Sequence, residues 1–201
     1  MSGHDLNQGK QPEYLKDSFC QDYVARIKKK RPTGGIPRED QVDHLWQRIL
    51  KIYFEHQTSA ALFDVQREAY ATEQSQKRSD ISVDNRRGEP AGAHKVIWFE
   101  AKRPKGTEPS RETMPNENDW EEARGQIRGY MVTARAADGD VQRMYGVTAV
   151  GMYARMFQLP RHSDRLQAVD DGRTFHVEAD GIAIEEHIQR WVRVISDGNN
   201  T

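Results

Sequence analysis

The chain has 201 residues, with 30 Lys+Arg against 31 Asp+Glu and a formal net charge of −1. That is ample for one domain with a real core, and any basic face must be local and offset elsewhere. One cysteine, Cys20, excludes an intrachain disulfide framework and multi-cysteine metal clusters, and fits a reducing intracellular compartment, cytoplasmic or nuclear.

In chain order, residues 1–13 read as a polar, flexible arm with little to bury. Tyr14, Leu15, Phe19, Tyr23, Val24 and Ile27 fall near helical spacing, so a short docking helix over 14–27 is expected. A basic run, Lys28 to Arg31, then meets Pro32 and Gly34-Gly35. It reads as a nuclear-localisation-like or phosphate-contacting patch, or as a solvated helix end. Val42, Leu45, Trp46, Ile49, Leu50 and Tyr53 form an apolar stripe that predicts a helix over 38–56. Residues 62–71 read as a strand and 80–84 alternate with period two. The segment from Lys95 to Lys102 is β-branched and aromatic and is the strongest strand signal in the chain. Residues 85–93 and 103–118 carry the Gly and Pro of loops. Asp119 can cap a helix over 120–135, strands are expected over 144–159 and 173–178, and a closing amphipathic helix over 184–195. The order is that of a mixed α/β domain over 14–196, with 197–201 as a tail. No apolar run approaches the ~20 residues of a membrane span, and no secretory h-region opens the chain.

Residues two apart on a strand share a face, so Glu100 and Lys102 point the same way, with Trp98 behind them. If the strand at Asp80 pairs antiparallel with this one, Asp80 comes within a few Å of Glu100. Two carboxylates and the carbonyl of Ala101 between them suit a hard divalent cation, Mg²⁺ or Mn²⁺. Such an ion polarises a phosphate oxygen and acidifies a bound water, and Lys102 could orient that water or stabilise growing charge. The plain alternative is a surface Glu–Lys pair beside a solvated Asp. The histidines show no metal-ligand spacing.

One turn apart on the following helix stand Gln126 and Tyr130. With them the pieces read Arg78-Ser79-Asp80, Glu100-Ala101-Lys102 and Gln126-Ile127-Arg128-Gly129-Tyr130. In order and context this resembles the PD-(D/E)xK nuclease superfamily, in the branch with a Q-x-x-x-Y helix, over residues 38–160. Ser79 stands where the superfamily name has proline, a position that varies widely there.

The resemblance implies a restriction-endonuclease-like core, a central mixed β-sheet flanked by α-helices, with a C-terminal strand and helix over 173–196 added to it. It implies a metal-dependent nuclease, acting on DNA ahead of RNA. Asp80, Glu100 and the Ala101 carbonyl would hold Mg²⁺ or Mn²⁺, and Lys102 would be the catalytic lysine. Gln126 and Tyr130 would position substrate, although Tyr130 also suits a core stripe. Arg124 and Arg128 would meet phosphates, or else pair with Glu121 and Glu122. Glu39 would be a further acidic ligand on the first helix, or simply a charge favoured by the helix dipole. Several nucleases of this fold dimerise to cut both strands, so a homodimer stays open. The alternative is the same fold with its catalysis lost, binding nucleic acid or a partner protein; no membrane partner is expected.

Overall fold

A computed structural model of the chain describes residues 10–28, 39–55, 62–71, 78–86, 94–102, 114–139 and 142–197. Residues 1–9 of the arm expected over 1–13, the basic residues 29–31 and most of both loops, 87–93 and 103–113, lie outside them, and Glu13 at the end of that arm already opens a helix.

The elements are α1 (Glu13–Lys16), α2 (Ser18–Lys28), α3 (Glu39–Phe54), β1 (Phe63–Tyr70), β2 (Arg78–Asn85), β3 (His94–Lys102), α4 (Glu117–Asp138), β4 (Met144–Val150), β5 (Tyr153–Leu159), β6 (Gln167–Ala168), β7 (Phe175–His176) and α5 (Gly181–Ser196). The strands make one mixed sheet in the order β1-β2-β3-β4-β5-β6, with β7 also on β5. Among the described residues only β3 and β4 pair in parallel, and α4 is the crossover such a pair requires.

Alternation along the strands divides the core into two layers. Ile97, Phe99 and Ala101 pack with Trp46, Leu50, Ile184 and Ile188 from α3 and α5. Trp98 lies on the other face, with Ile127, Met131 and Ala134 of α4. Gly146 of β4 lies beneath this helix: a Cβ there would meet Ile127 Cδ1 and Met131 Cε, each at 3.0 Å. Among the described residues no helix is long and apolar enough to cross a membrane.

The expected docking helix is two helices, α1 and α2, broken at Asp17. Asp17 accepts from the Cys20 N–H at 3.0 Å and from Arg48 Nη2 at 2.8 Å, tying the start of α2 to α3. Tyr53 Oη and the Glu13 N–H both donate to Glu185 Oε1, at 2.7 and 3.0 Å, so one buried carboxylate joins α1, α3 and α5. The hydrogen bond from Arg48 and then that from the Cys20 backbone outweigh burial and hold the Asp17 carboxyl below its ordinary value. A depressed carboxylate stabilises fully above its unfolded value near pH 4, and the contribution is lost as pH falls through the lower folded value. Asp17→Asn is therefore expected to melt lower than wild type at neutral pH. The two melting curves should converge in acid, which a pH series of thermal unfolding reads directly.

Two local expectations are corrected. The cap of α4 is Asn116, not Asp119: Asn116 Oδ1 accepts from the Asp119 N–H and Asp119 Oδ2 accepts from the Asn116 N–H, both at 3.2 Å. Asp119 is the reciprocal member of a capping box. The strand expected over 173–178 shrinks to Phe175–His176. There His176 Nδ1 accepts from the N–H groups of Glu178 and Ala179, and Asp180 Oδ2 accepts from that of His176, so side chains take the backbone donors a longer strand would use.

Candidate active site

β3 ends in charge on the α4 face. Glu100 is only 4% exposed, and such a carboxylate needs a partner. Lys102, two residues on and on the same face, supplies one, with Nζ 2.7 Å from Glu100 Oε1.

β2 and β3 are antiparallel, in the register Ile81↔Phe99 and Ser82↔Trp98. Beyond Ile81 the ladder stops, and the Asp80 side chain takes over: its Oδ2 accepts from the Ala101 N–H at 2.6 Å. In an antiparallel strand the N–H and C=O of one residue leave on the same edge. The Ala101 carbonyl therefore faces the edge where Asp80 sits, and Asp80, Glu100 and this carbonyl meet where β2 and β3 part.

α4 roofs the point. The Tyr130 ring stacks on Trp98, with centroids 5.8 Å apart, and its hydroxyl donates to the Arg78 carbonyl at 2.9 Å. Burial first, then the charges of Glu100 and Asp80, push the Tyr130 hydroxyl up to about 12. Tyr130 thus keeps its proton at neutral pH and acts as a donor beside two carboxylates. Its alternative as a core aromatic also holds, since it lies in the α4-side cluster. Gln126, one turn earlier, has a buried Oε1 with no hydrogen-bond partner.

Asp80, Glu100, Ala101, Lys102 and Tyr130 thus come together, with Gln126 one helical turn before Tyr130, whereas Arg124 and Arg128 do not join them. Positions two apart on a helix point about 200° away from one another. Arg128 instead reaches the Asp164 carbonyl at 2.9 Å. Arg124 is exposed, and its charge adds to the Arg155 hydrogen bond that holds the Glu117 carboxyl below its ordinary value. Glu39 opens α3, and its side chain lies outside the described residues.

Two residues beside the site escape the sequence reading. Thr148 is the parallel register partner of Glu100, fully buried, with an Oγ1 that has no hydrogen-bond partner. Arg155 pairs with Thr148 on the next strand. Its guanidinium lies 4.7 Å from the Trp120 ring centre, and Nη1 donates to both Glu117 oxygens, at 2.9 and 3.0 Å. An arginine between Ala154 and Met156 in an apolar strand was the available signal for it.

Among the described residues no group of three or more His, Cys, Asp or Glu could hold a metal ion. The donor set on the page is two carboxylates and a carbonyl, all hard oxygen. Mg²⁺ is commonly bound through one or two carboxylates while keeping its waters, so the set fits that ion and not zinc. No protein-family model, curated protein or solved structure matches the chain.

Proposed function

We propose that this chain is a metal-dependent nuclease of the PD-(D/E)xK type with a restriction-endonuclease-like core, cutting DNA ahead of RNA. The observation that carries the reading is the Asp80–Ala101 hydrogen bond at 2.6 Å, which brings the acidic residue of β2 to the Glu100-Ala101-Lys102 strand end. Asp80, Glu100 and the Ala101 carbonyl would hold Mg²⁺ or Mn²⁺. The ion supplies an activated water and a counter-charge for the phosphate. Lys102 holds positive charge at the same carboxylate and is the group within reach to orient the attacking water or meet the charge growing on the phosphate oxygens. Tyr130, protonated and fixed on the Arg78 carbonyl, and Gln126, with a buried amide oxygen, orient what enters beneath α4.

A second reading is the same fold used for binding alone, to nucleic acid or a partner protein. It is favoured by Lys102 lying against Glu100, since a salt bridge is what a purely structural pair would make. Calorimetry with Mg²⁺ and Mn²⁺ on wild type and Glu100→Gln, beside cleavage of labelled DNA and RNA, separates the two. Under the nuclease reading wild type binds metal and cleaves, and the variant loses at least about 100-fold in cleavage. A folded wild type that binds neither ion sinks it in favour of binding.

A further inference from the structure

β2, which carries Asp80, lies between β3 and β1, and β1 is an edge strand of the sheet. Tyr70, the last residue of β1, is 46% exposed, one of three exposed large hydrophobic side chains among the described residues. Its register partner is Arg78, so the two side chains share a face. Arg78 lies two residues before Asp80, a span of about 7 Å along a strand, similar to the step between neighbouring phosphates of an extended nucleic-acid strand. The hydroxyl of Tyr130 holds the Arg78 carbonyl at 2.9 Å, so this corner is fastened to the same helix that roofs Asp80 and Glu100.

The Arg78 guanidinium is half exposed and lies 2.7 Å from Glu68 Oε2. Glu68 has φ 53, a left-handed conformation inside a strand that an L side chain adopts at a cost. An acidic side chain in a strained position thus holds the guanidinium two residues before Asp80. An exposed pair of this kind is weak in water, and a phosphate offers the guanidinium a bidentate partner instead.

We propose that Tyr70 and Arg78 grip a single-stranded nucleic acid next to the bond to be cut. Resting on the nuclease reading, this names its substrate class. An unpaired base stacks on the Tyr70 ring while Arg78 exchanges Glu68 for the adjoining phosphate. A paired base keeps its faces inside the duplex stack, so the grip selects unpaired strand.

The test is fluorescence anisotropy of labelled oligo(dT) and of a blunt duplex of equal length, with the full chain and Ca²⁺ in place of Mg²⁺. Tyr70→Ala should weaken oligo(dT) binding by about 5- to 100-fold and Tyr70→Trp restore it. Arg78→Gln should weaken it and reduce the slope of log affinity against log salt by about one contact. Duplex binding should stay within about twofold throughout, and Mg²⁺ calorimetry of Tyr70→Ala should match wild type. Wild-type affinity of Tyr70→Ala for oligo(dT), or an equal loss on duplex, overturns the inference and leaves the nuclease reading standing. A wild type that binds no nucleic acid overturns both.

Discussion

Lys102→Ala is expected to lose cleavage while keeping, and even tightening, its hold on a divalent cation. In wild type the ammonium lies 2.7 Å from Glu100 Oε1, with the two side chains 17% and 5% exposed. A cation entering the site competes with Lys102 for that oxygen, so deleting the amine removes a competitor. If Lys102 orients the attacking water or meets the developing charge, its loss costs about 10²–10⁴-fold in the single-turnover rate. Folding also suffers, because removing one member of a buried ion pair costs about 3–5 kcal/mol. Millimolar Mg²⁺ should restore much of that, since a ligand bound only by the native state stabilises it in proportion to its occupancy. Lys102→Met keeps the aliphatic stem and separates lost charge from lost packing. Thermal unfolding with and without Mg²⁺, calorimetry and single-turnover cleavage together decide the matter. Weaker metal binding in both variants would show Lys102 to be a structural support for the site and not a competitor within it.

Trp46→Ala is expected to be the most damaging change on the opposite face of the sheet. Trp46 is fully buried and packs on Phe99, with ring centres 5.5 Å apart, beneath the strand that carries Glu100. Truncating a buried tryptophan costs about 3–5 kcal/mol, which in a chain of this size lowers the melting temperature by about 10 °C. Trp46→Phe should recover most of the loss. The indole Nε1 is buried without a hydrogen-bond partner, so the phenyl ring gives up volume but also sheds an unsatisfied donor. Circular-dichroism melts of both variants check the ordering, and a phenylalanine as harmful as the alanine would refute the argument.

The strand carrying Glu100 and Lys102 was legible because its apolar, β-branched run is unambiguous and alternation alone places the two charges on one face. Asp80 was legible for a related reason, since two strands joined by a modest connection pair antiparallel. Arg124 and Arg128 stand apart from the other site residues because, on a helix, two positions from Gln126 means the opposite side of the cylinder. Asn116 escaped because Asp119, three residues later, is an equally good cap, and only the reciprocal bonds tell the two apart. Thr148 and Arg155 stayed hidden since nothing local reveals which strand will lie beside β3, and parallel neighbours are separated by a whole crossover. The break at Asp17 was invisible because its cause, Arg48, arrives from another helix.

Gly146 carries no polar group of the site, yet it decides how closely α4 lies on β4. The Cβ it lacks would press on Ile127 Cδ1 and Met131 Cε, the flexible tips of residues next to Gln126 and within one turn of Tyr130. A single methyl here would have to be met by those two tips giving way by a few tenths of an ångström, or by α4 and its polar residues shifting with them. The fit of α4 on the sheet thus depends on the bulk of one residue of β4 that carries none of the polar groups at the strand end. Chains sharing this architecture could trade a tight slot for a roomier one at that position without altering what their acidic residues do.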